Sequence, residues 1–127
     1  VNNKNSFPGN LTYQQEFEKL KRLTLKIEES FAFRPNIYKA GRYGVGKNTT
    51  KILKKLGYKI DCSIVPHTDF SAIQGPNFTH ITQTQPYWFA SNKLLEVPLT
   101  VGYTGILSKY STSLYQFCHH PLLLIMK

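Results

Sequence analysis

Gly41-Arg-Tyr-Gly-Val-Gly46-Lys47-Asn48 follows the spacing of a phosphate-binding loop, G-x-x-x-x-G-K-[ST], at every fixed position but the last. In that chemistry successive backbone N–H groups cradle a phosphate, the lysine reaches its outer oxygens, and a Ser or Thr hydroxyl holds magnesium. Gly41, Gly46 and Lys47 meet the first two requirements; Asn48 offers an amide where the hydroxyl belongs, and Thr49 stands one residue too late. Asp61 has the type of a magnesium-water carboxylate, although Lys59 interrupts the apolar run before it. A glycine-rich turn has a second use. Lacking Cβ atoms, it lets backbone approach a substrate and aim N–H groups at developing negative charge.

The remaining residues with chemistry are scattered. No two of His67, His80, His119 and His120 are four apart, and the adjacent pair His119-His120 makes a poor metal clamp. His67 and Asp69, in "PHTDFS", are candidates for lining a substrate groove. Glu96 has the type of a hydrolase carboxylate, with a strand-edge or structural role preferred. Tyr43, Phe70, Tyr87, Trp88 and Phe89 could stack on sugar rings; most belong to the core, and Tyr43 and Trp88 are the best exposed candidates. Cys62 and Cys118, without C-x-x-C spacing, read as free buried thiols.

These residues need elements to hold them. Phe17, Leu20, Leu23, Ile27 and Phe31 recur at helical spacing and predict a helix from about Thr12 to Phe31, capped by Asn10 or Thr12. "NIYKA" reads as a short strand entering the glycine turn. "NTTKILKKLG" is a second helix with Asn48 or Thr49 as cap, Ile52, Leu53 and Leu56 inward, and Gly57 as terminator. "YKIDCSIV" is a strand, "YWFAS" and "LLEVPLT" form two more around an Asn-Lys turn, and a weak helix is expected from Thr104 to Phe117. Residues 1–11 read as loop. Strand, glycine turn, helix, strand is βαβ logic and implies an α/β fold with a parallel sheet, whose functional loops leave the C-terminal strand ends. That puts residues 39–46 and 61–71 on the active edge.

With 127 residues the chain has room for one small domain. Its net charge of +9 sits mostly between Lys19 and Lys59, interleaved with Glu16, Glu18, Glu28 and Glu29, the pattern of solvated helix faces rather than of a nucleic-acid surface. No apolar run approaches the roughly 18 residues a membrane span requires. The missing initiator Met and the apolar run Leu122–Met126 beside the last residue predict a piece of a larger protein.

"IYKAGRYGVGKNTTKILKKLGYKIDCSIVPHTDFSAIQGPNF", with "PYWF" and "LLEVPLT" after it, resembles the NodB-homology polysaccharide deacetylases, most closely their WalW-like branch. That branch reads F-R-A-G-R-Y-G, a helix ending L-G-Y, an aspartate-serine strand, G-P-[DN]-F, and L-E-[VL]-P-L-T. The likeness runs from about Glu16 to Gly105, with the same order and spacing. It implies that residues 1–127 are a single partial domain, the C-terminal portion of a distorted (β/α) barrel. It also implies a hydrolase that removes N-acetyl groups from a polysaccharide or glycoconjugate with a divalent metal, commonly zinc. By position, Lys39 stands for an arginine that orients the catalytic base, and keeps the charge without the bidentate fork. The backbone amide of Arg42 maps to the oxyanion donor. Asp61 lies on the following strand within reach of pairing with Lys39. The family's paired aspartates and its two histidines four residues apart would precede Thr12, and its closing histidine motif would follow Lys127. On this reading the 127 residues bind no metal and are inactive alone. A non-catalytic carbohydrate-binding remnant and a phosphate-loop nucleotide binder are the alternatives.

Overall fold

A computed structural model describes residues 4–91 and 93–101. They form a mixed α/β structure of two helices and a four-stranded mixed sheet. Helix α1 spans Tyr13–Phe31 and α2 spans Thr49–Leu56; the strands are β1 (Ile37–Tyr38), β2 (Ile60–Asp61), β3 (Tyr87–Phe89) and β4 (Leu94–Glu96). The strand order is β1-β2-β4-β3, parallel from β1 through β4, with β3 antiparallel at the edge. The βαβ unit read from the glycine turn is therefore present, and so is the hairpin of "YWFAS" and "LLEVPLT". The predicted helix 104–117, Cys118, His119, His120 and the turn residue Asn92 lie outside the described residues.

Helix ends follow local chemistry. Thr12 caps α1 through a reciprocal box: its hydroxyl accepts the Gln15 N–H, and the Gln15 side chain accepts the Thr12 N–H at 3.2 Å. Gly57 ends α2 with φ 87°, a left-handed conformation that glycine adopts without a Cβ penalty. Asn48 precedes α2, but its side chain makes no capping bond.

The buried stripe of α1 differs from the one apolar spacing suggests. Leu23 and Phe31 are 52% and 75% exposed, while Glu16, Leu20 and Thr24 are buried. Those three residues, four apart, align on one face, and their polar members have partners that spacing cannot reveal. Thr24 bonds the Leu20 carbonyl at 2.7 Å and the Tyr58 hydroxyl at 2.9 Å; Glu16 accepts from Thr49 at 2.5 Å. The core closes around Ile52, Leu53, Leu56, Tyr38, Tyr58 and Leu94, as the inward face of α2 predicted.

The leading segment, expected as loop, holds two short 3₁₀ turns, Lys4–Ser6 and Pro8–Asn10, and buries Phe7. It lies directly on the glycine turn: the Gly9 N–H donates to the Gly44 carbonyl at 2.6 Å, and a Cβ on Gly9 or Gly46 would collide with the other's backbone. At Gly41 an added Cβ meets nothing. We expect Gly46→Ala to lower the unfolding free energy by about 1–3 kcal/mol, the usual penalty of overpacking, and Gly41→Ala to change it by less than about 0.5 kcal/mol. Urea titrations of the two variants check this; equal losses would mean the Gly9–Gly46 contact is not what keeps position 46 a glycine.

Candidate functional site

The C-terminal ends of β1, β2 and β4 converge where βαβ logic puts function. At the end of β1 the backbone turns left-handed twice in succession, with φ of 55° at Arg42 and 58° at Tyr43. Each such non-glycine residue costs about 1–3 kcal/mol, and strain of this kind persists where surrounding contacts enforce it. Those contacts are visible. The Arg42 guanidinium lies 4.3 Å from the Phe7 ring centroid and donates to the Ser6 hydroxyl at 2.6 Å. Tyr43, half-buried rather than open, stacks on Phe70 at 5.7 Å, which docks the 66–81 loop against the turn.

Amide use separates the two chemistries first considered for this turn. The N–H groups of Tyr43, Gly44 and Val45 donate to the carbonyls of Ala40, Gly41 and Tyr43. That of Gly46 donates to Thr49 Oγ1 at 2.9 Å. They are thus committed within the loop rather than turned towards a phosphate, and Lys47 is a surface residue. The Arg42 N–H makes no hydrogen bond among the described residues, and Arg42 is exposed.

Behind the turn lies a row of polar residues that periodicity did not predict. Register pairs Tyr38 with Asp61, Asp61 with Glu96, and Glu96 with Tyr87, so all four project from one face of the sheet. Asp61 and Glu96 are 4% and 1% exposed. Burial, with Asp61 beside it, pushes Glu96 up to about 8, although its carboxylate accepts the Ile64 N–H at 3.1 Å. Burial likewise raises Asp61 against the opposing pull of the Ser63 hydroxyl, which donates to Asp61 Oδ1. The Tyr38 hydroxyl is raised by burial first and by Asp61 second. Each of these buried carboxyls, on neighbouring strands, disfavours ionisation of the other. A relay then reaches the turn, because Ser63 Oγ accepts the Ala40 N–H at 2.8 Å.

Two expectations about these carboxyls need correction. Lys39 and Asp61 do not pair; the ion pairs among the described residues are Lys26–Glu29 and Arg34–Glu28. Lys39 follows Tyr38, the register partner of Asp61, so alternation sends its side chain the other way. Its ammonium instead lies 5.3 Å from the Tyr43 ring centroid. Nor is Glu96 at a strand edge, since β4 lies between β2 and β3. Period-two spacing of Asp61 and Ser63 was the available sign that both serve one face; the burial of Glu96 had no local sign.

The other candidates divide. Lys39, Arg42 and Tyr43 share the β1 end, with Asp61 tied to it through Ser63. Asp69 is exposed and held below the usual carboxylate range by Ser71, whose N–H it accepts at 2.8 Å; this closes a local turn. His67, half-buried with φ 60°, donates its N–H to the Ile81 carbonyl. Trp88 is 59% exposed, but it lies on β3 at the opposite edge from β1, about 14 Å away at ordinary strand spacing. Its register row, Ile37–Ile60–Leu95–Trp88, forms the other, apolar face of the sheet. Cys62 is half-buried and free. Among the described residues no three His, Cys, Asp or Glu side chains are grouped to hold a metal ion, and no helix is long and apolar enough to cross a membrane.

No protein family, curated protein or solved structure matches the chain.

Proposed function

We propose that the chain carries the C-terminal portion of a distorted (β/α) barrel of the NodB-homology type, in a metal-dependent carbohydrate deacetylase that hydrolyses N-acetyl groups on a polysaccharide or glycoconjugate. One observation carries the reading: a strained, glycine-flanked turn at a strand's C-terminal end leaves the Arg42 N–H without a hydrogen bond among the described residues, and Ala40 of the same strand end is linked through Ser63 to the buried Asp61. An unengaged backbone donor fixed in place by packing is what an anionic tetrahedral intermediate needs, because it requires no reorganisation as charge develops. Lys39 adds positive charge to the same edge, held over Tyr43. Asp61, linked to the turn through Ser63 and Ala40, is a positioning residue in this scheme. Tyr43 presents its ring beside the turn.

On this proposal the described residues contribute the anion-stabilising backbone and the substrate wall, and the zinc ligands come from elsewhere in the intact protein. Reading the source DNA upstream of the Val1 codon tests this. The expected result is an open frame with an Asp-Asp pair after an apolar strand and two histidines four residues apart. A start codon immediately before Val1 would remove the enzyme reading. The exposed Trp88 on an open apolar sheet face would then favour a carbohydrate-binding module.

A further inference from the structure

Seven acids stand against sixteen Lys and Arg in the chain, and the fold leaves little of that countercharge free at the surface. Glu16, Asp61 and Glu96 are buried. Glu28 and Glu29 are paired with Arg34 and Lys26, Glu18 accepts from the Gln14 side chain on α1, and Asp69 is held by Ser71 in the 66–81 loop. Between Glu29 and Asp61 lie eight Lys and Arg and no acid. Helix α2 falls in that stretch. Its apolar residues Ile52, Leu53 and Leu56 lie in the core, and its exposed side carries Lys51, Lys54 and Lys55, with Lys47 just ahead of it. None of the four enters an ion pair among the described residues. The charge balance that interleaving in sequence suggested is therefore absent from this helix.

Beneath two of these lysines lie aromatic rings of α1. Lys51 Nζ is 5.5 Å from the Tyr13 ring centroid, and Lys55 Nζ is 4.6 Å from that of Phe17. The two half-buried rings are nearly parallel, with 4° between their planes and centroids 6.1 Å apart. A polyanion meets here a row of ammonium groups whose long stems let them leave a ring for a phosphate, and flat apolar faces at which an unpaired base stacks. A bilayer finds no apolar side chain on α2 to take up, because that helix's apolar face is already buried. Lysines are point charges without the planar fork that reads base edges. We propose that the face shared by α1 and α2 binds single-stranded nucleic acid without sequence preference, its phosphates on Lys47, Lys51, Lys54 and Lys55 and its bases against Tyr13 and Phe17.

The test is fluorescence anisotropy of a labelled oligothymidylate titrated with the 127-residue chain. With roughly three or four phosphates neutralised, affinity should fall about 20–50-fold between about 50 mM and 200 mM salt. The double variant Lys51→Gln, Lys55→Gln keeps the stems and removes two charges. It should weaken binding at low salt and make the logarithmic salt slope shallower by roughly 1.4. Tyr13→Leu should lower affinity about fivefold or more at every salt concentration and leave the slope unchanged, because stacking releases no counterions. The lysine variant, altered only at exposed positions, keeps its fold and decides the case if Tyr13→Leu does not. Failure to bind at the lower salt, or binding that the lysine variant leaves unchanged, would overturn the proposal. A DNA duplex or a phosphatidylserine vesicle bound as tightly as the single strand, with no response to Tyr13→Leu, would overturn it in favour of a general polyanion or membrane surface. The deacetylase reading stands or falls separately, on the turn at the end of β1.

Discussion

Replacing Glu96 by Gln should make the protein more stable at pH 8 and lessen the fall in its stability between pH 5 and pH 8. The folded state holds the Glu96 proton far more tightly than an unfolded chain does, because burial and the neighbouring Asp61 raise its carboxyl from 4.5 to about 8. A raised folded-state value means that the stabilisation is complete below the unfolded value, near 4.5, and is lost as pH rises through about 8. Each pH unit inside that window removes up to about 1.4 kcal/mol per fully linked proton. The wild-type chain should therefore lose on the order of 2–4 kcal/mol from pH 5 to pH 8. Asp61 and Glu16, both raised by burial, act in the same direction. Gln keeps an acceptor for the Ile64 N–H and cannot ionise, so at pH 5 its effect should stay below about 1 kcal/mol. Urea unfolding followed by far-ultraviolet circular dichroism at the two pH values decides the matter. A wild type equally stable at both, or a variant with an unchanged slope, would show that the carboxyl row does not hold its proton.

The second large effect concerns the turn. If the Arg42 N–H is the oxyanion donor, then in the intact enzyme Arg42→Gly and Arg42→Ala should retain kcat within severalfold, whereas replacing that amide by an ester should lower it about 10²–10³-fold. Gly should also be the more stable of the two, by roughly 1 kcal/mol, since φ of 55° is unfavourable for alanine. Arg42→Pro is a poor probe because the proline ring fixes φ near −65° and would break the turn as well as delete the donor. An ester variant as active as wild type, with its fold intact by circular dichroism, would refute the backbone assignment. Loss of the Arg42 contacts to Phe7 and Ser6 is expected to show in stability and not in kcat.

Much of the scaffold was legible because it rests on local chemistry. Apolar spacing located both helices, Asn10 or Thr12 marked the start of α1, with Thr12 the one that caps it, Gly57 marked the end of α2, and strand–turn–helix–strand order implied parallel pairing of β1 and β2. The sheet was legible in order but not in extent: β2, expected over eight residues of "YKIDCSIV", keeps a regular ladder only at Ile60–Asp61, and pairing continues beyond it through single bonds such as Cys62 N–H to the Tyr38 carbonyl.

The candidate site divides along the same line. That Gly41 to Gly46 form a turn of backbone chemistry followed from glycine's freedom, a property of each residue by itself. Which chemistry could not follow, because it depends on which backbone groups find partners, and those partners include Thr49 for the Gly46 N–H and, for the Gly44 carbonyl, the N–H of Gly9, thirty-five residues earlier. Gly46 is a case in point: its resemblance to a phosphate-loop glycine is local, while its steric need for hydrogen in place of Cβ comes from Gly9. Buried charge is the plainest difference between the two levels. Glu16 and Glu96 look in sequence like surface or strand-edge acids, and the α1 pattern favoured Leu23 and Phe31 for the core. Burying a carboxyl is tolerable only where a distant partner, Thr49 for Glu16 or the Ile64 amide for Glu96, offsets its desolvation. Local propensity and spacing thus determined which elements form and in what order. Tertiary contact alone decided which polar groups those elements bury, because a polar group's partner is set by the fold and not by its neighbours in the chain.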